Sequence, residues 1–436
     1  MRKAVYMDNS ATTMVSDEAL AAMLPLFRES YGNPSALYDM GRAAFKALED
    51  ARASVAASLG ALKSEIFFTS GGTESDNWAI AGAADAAEAA ALRSCLGGRG
   101  ETAGPAPGGA GGRGKFHMIT SAVEHSAVLK PLQRLERRGW EVTVLPTDRT
   151  GAVSPDALEA AIRPDTALVS VMAANNVVGT VQDVKALAGV CRRRRVLFHT
   201  DAVQAAGHMP LNVRDWDADM VSVSSHKFHG PKGTGALFCK VPRRPDPLVL
   251  GGGQERGGRS GTENVHGACG MAAALAAAVR GMDADSARLR SMRDRIIEGA
   301  LKIPGVLLTG DPRRRLPGHA SFVVEGIRHS ALLITMLNER GVCASSGSAC
   351  TVASKEADHV LQALGYGWEP FASLRLTLSV YNTDEEVEHV LDVLPECVAE
   401  LRRREPLGAS GALVRGDGEL ANRERLKAAG KQDWRG

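Results

Sequence analysis

Short apolar runs recur along the first 240 residues and alternate with stretches that favour helices. Seven of these runs predict strands, near residues 66–68, 116–120, 142–145, 168–172, 196–199, 220–223 and 235–238. Strands that alternate with helices are typical of an α/β protein with a mainly parallel sheet covered by helices. The last run follows a short turn, so we expect its strand to run antiparallel.

The length of the chain predicts two domains, because 436 residues exceed what one compact core holds. We expect a large domain over residues 14–281, which ends in a helix near 265–281, and a smaller α+β domain over 282–405. Residues 93–115 are rich in Gly and lack apolar periodicity, which predicts a flexible surface insertion. Residues 406–436 mix Gly with charged residues and are expected to form a disordered tail or a short helix.

Lys227 lies in a polar turn, rich in Gly and Pro, that follows the predicted strand at 220–223. Such a turn can hold an amine in a cleft, partly removed from water. Desolvation favours the neutral, nucleophilic amine that forms a Schiff base. A second cation beside it, Lys232 or His226, would act in the same direction. A lone lysine in a basic loop is more often exposed, so the interpretation depends on the residues that accompany it.

Asp201 follows the predicted strand at 196–199 and is expected at the crevice where open α/β sheets bind ligands. Pyridoxal phosphate needs such a carboxylate to keep its ring nitrogen protonated. Gln204, three residues further on, is placed to reach the ring hydroxyl. Considered alone, Asp201 would more often be a helix N-cap.

Two more predicted strands are followed by residues suited to binding or catalysis. The turn at residues 69–77 is rich in small residues and opens a helix, which predicts a phosphate cradle at a helix N-terminus. His125 follows the predicted strand at 116–120, where an imidazole can stack on a cofactor ring and move protons. An ordinary loop and a helix-capping histidine are the alternatives for these two features.

The chain resembles the cysteine desulfurases of the NifS/IscS type, which belong to the class V aminotransferases of pyridoxal phosphate fold type I. The resemblance covers about residues 3–400 and rests on motifs that occur in the family's order, at residues 7–13, 32–35, 69–77, 121–128, 174–176, 199–204, 224–233, 259–264 and 345–351. It implies a mainly parallel seven-stranded sheet covered by helices, and a small domain in which residues 1–13 pack onto residues 282–405.

The resemblance also implies how the cofactor is held. Lys227 would form the covalent link to pyridoxal phosphate, Asp201 and Gln204 would hold its ring, and His125 would stack on the ring. The phosphate would be bound by four residues, Gly72, Thr73, Ser224 and His226. Thr262 would reach the phosphate bound to a neighbouring subunit, which implies a homodimer.

For the substrate, the resemblance implies L-cysteine, oriented by Asn176 and Arg375. Arg375 would grip the substrate carboxylate through two parallel hydrogen bonds, a geometry that lysine cannot reproduce.

The presence of Cys350 helps to decide which reaction an enzyme of this fold would catalyse. Residues 344–351 are all Ser, Ala, Gly, Cys or Thr, which predicts a mobile loop with an exposed thiol. The thiolate is the reactive form of cysteine. The resemblance implies that Cys350 takes the sulfur of L-cysteine as a persulfide, that L-alanine leaves, and that an acceptor protein, such as an iron–sulfur scaffold or a tRNA thiolation enzyme, receives the sulfur. The alternative is a buried, inert cysteine.

The composition of the chain limits the cellular compartment and the partners that we expect for it. Seven cysteines with no CxxC pair favour a reducing, cytoplasmic compartment over a disulfide framework or a metal site. Cys343 is either a second reactive thiol or a core residue of a short strand. A net charge of +2 gives no reason to expect nucleic acid or a membrane surface as a partner. Neither a secretory leader nor a membrane span is predicted from the apolar runs.

Two alternative functions remain open from the sequence. One is another enzyme on the same cofactor, such as a selenocysteine lyase or a class V aminotransferase, and an aminotransferase would have no need of Cys350. The other is a non-catalytic scaffold for iron–sulfur assembly that keeps only the fold, which the presence of Lys227, Asp201 and Arg375 disfavours.

Overall fold

The computed structural model describes residues 4–95, 116–347, 359–366 and 371–404. Three features of the sequence lie outside the described residues: Cys350, the tail predicted at 406–436, and residues 96–115 of the predicted insertion. The first three residues of that insertion, 93–95, were wrongly predicted as loop, because the helix that begins at Gly72 extends to Cys95.

The described residues contain twelve strands and thirteen helices. The strands are β1 Val5–Tyr6, β2 Ile66–Thr69, β3 His117–Ser121, β4 Glu141–Leu145, β5 Thr166–Ser170, β6 Leu197–Asp201, β7 Met220–Ser224, β8 Gly235–Cys239, β9 Val306–Leu308, β10 His319–Glu325, β11 Val342–Cys343 and β12 Phe371–Thr377. The helices are α1 Asp17–Met23, α2 Pro25–Arg28, α3 Asp39–Leu59, α4 Gly72–Cys95, α5 Ser126–Arg137, α6 Pro155–Ala161, α7 Val184–Arg194, α8 Val213–Trp216, α9 Gln254–Gly257, α10 Val265–Ala300, α11 Ser330–Glu339, α12 His359–Ala363 and α13 Asp384–Arg404.

Seven strands form one large sheet in the order β2-β8-β7-β6-β5-β3-β4. The five strands from β7 to β4 are parallel to their neighbours, whereas β8 runs antiparallel to both β7 and β2. Because β2 and β7 both oppose β8, β2 points the same way as the parallel strands. The prediction of a mainly parallel seven-stranded sheet with an antiparallel last strand is confirmed.

Apart from the edge strand β4, which is partly exposed, the strands of this sheet are almost entirely buried on both faces. Burial on both faces explains why strands such as β2 and β8 carry apolar residues at successive positions. Successive residues of a strand enter opposite cores: Met118 and Met220 face one core, and Ile119 and Val221 face the other. The first core also contains residues of α4 and α5, and the second contains residues of α3, α7 and α10.

A third core surrounds a small antiparallel sheet in the order β12-β10-β9. The N-terminal strand β1 pairs in parallel with β11, and Met7 is fully buried in this core. The chain then hydrogen-bonds to the end of β12, where the N–H of Asn9 donates to the carbonyl of Thr377. Residues 8–13 therefore leave the small sheet and run towards the edge of the large one.

The helix predicted near residues 265–281 extends to Ala300 in the structure. Its early residues, such as Leu275, lie in the core of the large sheet, and its later residues, such as Ile296, lie in the core of the small sheet. By length and composition alone α10 is apolar enough to span a membrane, but 44% of its most apolar stretch is buried inside the protein. A helix that contributes to two cores has this composition without a membrane.

A buried ion pair joins α3 to α9. The guanidinium of Arg52 and the carboxylate of Glu255 form two hydrogen bonds of 2.6 and 2.8 Å, and both side chains are at most 3% exposed. Removing one partner of a buried pair leaves the other charge uncompensated. We therefore expect Glu255→Gln to lower the free energy of unfolding by about 3 kcal/mol, measured by urea denaturation.

Glu49 provides the matched control, since it also pairs with Arg52 but is 20% exposed. Glu49→Gln should cost less than about 1 kcal/mol, because solvent already screens that pair. Equal losses in the two variants would contradict this account of the buried pair.

Candidate active site

The ends of four strands meet at one edge of the large sheet. Because β2, β3, β6 and β7 point the same way, the residues that follow them share the carboxyl edge, where open α/β sheets bind ligands. The predicted cradle follows β2, His125 follows β3, Asp201 ends β6 and Lys227 follows β7. Burial raises the pKa of the Asp201 carboxyl, and His125 and Lys227 both lie close enough to oppose that shift, so the fold brings these three residues together.

Lys227 ends a short 3-10 turn, Ser225–Lys227, directly after β7. Its side chain is partly buried, and its amine donates to the backbone carbonyls of Ser10 and Ala11, the latter at 2.9 Å. The amine therefore points into the protein, where residues 8–16, here called the N-terminal segment, cover it.

The environment of Lys227 favours the neutral amine. Burial lowers the pKa of Lys227 to about 8, and the guanidinium of Arg375 acts in the same direction. The prediction that His226 supplies a second cation is wrong, because burial lowers the pKa of His226 to about 4 and its ring is neutral at neutral pH. Lys232, the other candidate, is exposed. The cation that acts on Lys227 is Arg375.

The pKa of Lys227 predicts how its reactivity depends on pH. Only the neutral amine is nucleophilic, so the rate at which Lys227 is acetylated by acetic anhydride should rise with pH and level off above about 8. In Arg375→Met the midpoint should move to higher pH, because the repulsion by the guanidinium is lost. Peptide mass spectrometry measures both curves. A midpoint near 10.5, the ordinary value for lysine, would contradict the prediction.

Asp201 is 5% exposed, and its carboxylate accepts a hydrogen bond of 2.9 Å from the N–H of Val203. Burial raises the pKa of Asp201, while this hydrogen bond and the basic groups nearby act against burial. Gln204 donates at 3.0 Å to the carbonyl of Ser10, the same carbonyl that accepts from Lys227. The lysine and the glutamine are thus linked through one backbone oxygen.

The predicted phosphate cradle is one cavity at the N-terminus of α4. All four predicted residues line it: Gly72, Thr73, Ser224 and His226. A β-carbon at position 72 would lie 2.6 Å from the side chain of Val203, so only glycine fits there. Glu74 also lines the cavity, and Arg259 pairs with its carboxylate at 2.8 Å. Backbone N–H groups at a helix start and small polar side chains suit an anion.

His125 is the N-cap of α5, and its Nδ1 accepts a hydrogen bond of 3.1 Å from the N–H of Ala127. Because Nδ1 accepts this hydrogen bond, the ring can donate to a partner only through Nε2. The ring is exposed at the carboxyl edge of the sheet. The helix-capping role left open by the sequence is present, and stacking on a cofactor stays a prediction.

Arg375 lies in β12 and is 2% exposed. Its Nη1 donates to the carbonyls of Asn176, at 2.7 Å, and Gly347, and its Nη2 donates to the carboxylate of Asp8 at 2.7 Å. The structure thus brings Asn176 and Arg375 together through the backbone carbonyl of Asn176. Among the described residues, the buried Nε of Arg375 has no hydrogen-bond partner. Its grip on a substrate carboxylate stays a prediction.

Sequence reasoning missed the part played by residues 8–11. Ser10 and Ala11 act through backbone carbonyls, which every residue has, so their side chains gave no signal. Asp8 was part of a recognised motif, but its pairing with Arg375 joins positions 367 residues apart. Thr262 is exposed on the loop before α10, and its reach into a neighbouring subunit stays a prediction.

Two further buried carboxyls, Glu124 and Asp76, lie near Asp201 and were also missed. Burial raises the pKa of Glu124 to about 8, although the Ser121 hydroxyl and the N–H of Met172 donate to its carboxyl. Burial and the charge of Asp201 raise the pKa of Asp76 well above its usual range. Buried carboxyls this close do not all ionise. Asp201, which has basic groups beside it, is the one placed to carry the charge.

The carboxyl edge of this helix-covered sheet carries a partly buried lysine, a buried aspartate and an anion cradle. These features define a class of α/β enzymes built around a reactive lysine. The model of the aminotransferase class-V family matches residues 5–92 and 110–390, so the chain belongs to this family. Class V aminotransferases and cysteine desulfurases are pyridoxal phosphate enzymes.

The relatives of the chain include cysteine desulfurases. The chain is 46% identical over 406 residues to "Cysteine desulfurase IscS" of Methanosarcina thermophila. The matched region covers 93% of this chain and 94% of the relative. Among solved structures, a "NIFS-LIKE PROTEIN" is 35% identical with a TM-score of 0.81, covering 91% of this chain and all of the other. "SspA in complex with cysteine" is 31% identical with a TM-score of 0.70, covering 87% and 99%. The resemblance seen in the sequence is confirmed.

Proposed function

We propose that this chain is a pyridoxal phosphate-dependent cysteine desulfurase, which converts L-cysteine to L-alanine and leaves the sulfur as a persulfide on Cys350. The observation that carries the proposal is the position of the Lys227 amine. It is partly buried, its pKa is lowered to about 8, and it lies near the carboxylate of Asp201 in a member of a pyridoxal phosphate family.

The residues at the carboxyl edge fit the proposed cofactor. Gly72, Thr73, Ser224 and His226 form a cradle for its phosphate, and a β-carbon at position 72 would collide with the side chain of Val203. Asp201 would pair with the ring nitrogen, Gln204 would face the ring hydroxyl, and His125 would stack on the ring. When bound, pyridoxal phosphate supplies an aldehyde for Lys227 and a ring that withdraws electrons.

The chain's own residues then supply the binding and proton-transfer groups. Arg375 and Asn176 hold the substrate carboxylate, and the Lys227 amine removes the proton from the substrate Cα. The Cys350 thiolate attacks the substrate sulfur, and the carbon–sulfur bond breaks. Its electron pair stays with the carbon skeleton, which takes up a proton at Cβ, regains a proton at Cα from the Lys227 amine and leaves as alanine. The sulfur remains on Cys350 until an acceptor thiolate removes it.

The proposal includes a homodimer that acts in the cytoplasm and passes sulfur to an acceptor such as an iron–sulfur scaffold or a tRNA thiolation enzyme. Support for the dimer comes from large apolar side chains that are exposed on the loop between α2 and α3 and on the start of α3. Leu37 is 88% exposed, with Tyr31, Tyr38 and Phe45 nearby in sequence. An apolar surface of this kind commonly marks a protein interface.

Product analysis tests the proposed function. The purified full-length chain, supplied with pyridoxal phosphate and L-cysteine but no reductant, should release one alanine for each Cys350 persulfide formed. Alanine is measured by chromatography and the persulfide by intact-protein mass spectrometry. Transamination of cysteine without alanine release would overturn the proposal, and a strong preference for selenocysteine would favour a lyase for that substrate.

A further inference from the structure

His229 has an unusual backbone conformation two residues after Lys227. Its φ is +67°, in the left-handed region, and the residue is 9% exposed. For a residue with a β-carbon this conformation costs about 1 kcal/mol or more, so neighbouring contacts must hold it.

The contacts that hold His229 come mainly from residues 13–16 of the N-terminal segment. The His229 N–H donates to the Thr13 hydroxyl, the ring Nδ1 contacts the carbonyl of Met14, and the N–H of Ser16 donates to the His229 carbonyl, each at 2.9 Å. The ring of Tyr381 packs edge-on against the imidazole, with 4.9 Å between centroids. The polar groups of the His229 backbone are thus engaged, together with one ring nitrogen.

The ring nitrogen that contacts Met14 must be the donor, because a carbonyl only accepts. Burial lowers the pKa of His229, although the Met14 carbonyl and Glu18 act in the opposite direction. The ring is therefore neutral at neutral pH, with its proton on Nδ1. This hydrogen bond does not require charge, and an amide N–H at the same position can make it.

The same N-terminal segment also binds the side-chain amine of Lys227 and the backbone carbonyl of the residue before it. Ser10 and Ala11 accept from the Lys227 amine, and the N–H and hydroxyl of Thr13 both donate at 3.0 Å to the carbonyl of His226. A ring nitrogen of His208 donates to the carbonyl of Lys227 at 2.9 Å. One stretch of chain thus binds the amine of the lysine and the turn that follows it.

We propose that His229 is a positioning residue for Lys227. Its ring fastens the turn after the lysine to residues 13–16, and this fixes the carbonyls of residues 10 and 11 at the distance where they receive the amine. The inference rests on the proposed function, in which the Lys227 amine reacts with the aldehyde of pyridoxal phosphate. Without the ring, the backbone hydrogen bonds to Thr13 and Ser16 remain, but the contact with Met14 is lost and the amine is held less firmly in its direction.

Three substitutions separate the ring from the backbone conformation. His229→Asn keeps the hydrogen bond, because the Asn Nδ2 occupies the position of the His Nδ1, and Asn tolerates the left-handed region. His229→Gly keeps the backbone conformation at little cost but removes the ring. His229→Ala loses the hydrogen bond and disfavours the conformation.

The readout is the rate at which pyridoxal phosphate becomes attached to Lys227, trapped by borohydride and measured by peptide mass spectrometry. Lys232 is the internal control, since it is exposed in the same segment. We expect a loss of about ten-fold or more at Lys227 in the Ala and Gly variants, with Lys232 unchanged, and a rate within about three-fold of the original chain in the Asn variant.

The outcomes separate the inference from the function on which it rests. If the original chain shows no adduct at Lys227, the proposed function fails. If the original chain shows the adduct and the Gly variant reacts equally fast, the ring does not position the lysine and the inference is overturned. If Asn and Gly lose the same amount, the hydrogen bond to Met14 has no role and the inference is likewise overturned. The Asn and Gly comparison decides the question even if the Ala variant does not fold.

Discussion

Replacing Lys227 with alanine is expected to abolish alanine release from L-cysteine, with a loss of about three orders of magnitude or more. The amine is the only group at the carboxyl edge, among the described residues, that is a nucleophile with a pKa lowered to about 8. It is proposed both to attach the cofactor and to move the Cα proton, so its loss removes two functions. Lys227→Arg should fail equally, since a guanidinium keeps the charge but stays protonated.

The matched control is Lys232→Ala. Lys232 lies five positions further along and lines the cradle, but it is exposed and is not held by the N-terminal segment. Its removal should leave attachment at Lys227 intact and weaken only the binding of the cofactor phosphate. Steady-state alanine release and mass spectrometry of the borohydride-reduced protein measure these effects. Full activity in Lys227→Ala would contradict the proposed role.

Replacing Cys350 with alanine is expected to abolish alanine release while the attached cofactor is retained. The thiolate is the proposed acceptor of the substrate sulfur, and without it the carbon–sulfur bond has no nucleophile to break it. The expected loss is about two orders of magnitude or more. Absorbance of the bound cofactor should be unchanged, which separates this variant from the lysine variant.

Cys343→Ala is the matched control for the thiol. Cys343 lies in β11 opposite Tyr6 of β1 and is only partly exposed, which is the position of a structural residue. Its removal should leave alanine release and the persulfide on Cys350 unchanged. Retained activity in Cys350→Ala, or a persulfide found on Cys343, would contradict the proposed sulfur transfer.

Short apolar runs located the strands, because most strands of the large sheet are buried on both faces and are rich in apolar residues. The ends of those strands then located Asp201, His125 and Lys227, since parallel strands bring the residues that follow them to one edge. The extent of α10 was harder to predict. Its apolar positions after residue 281 face a different core, and the change of core leaves no break in the helical pattern.

Contacts that depend on backbone groups or on distant parts of the chain could not be predicted. The carbonyls of Ser10 and Ala11 hold the Lys227 amine without using their side chains. His226 was expected to carry a charge, and only its burial shows that it does not. Arg375 acts on Lys227 from a different sheet, so its effect on the pKa of the amine requires the folded structure.

The most direct measurement of the central claim is the location of the covalent cofactor. The full-length chain is incubated with pyridoxal phosphate at neutral pH, reduced with borohydride and digested, and every lysine peptide is examined by mass spectrometry. The proposed site predicts an adduct on Lys227 in far higher yield than on any other lysine, and a lower yield at Lys227 in Asp201→Asn. An adduct on another lysine, with Lys227 unmodified, would contradict the account.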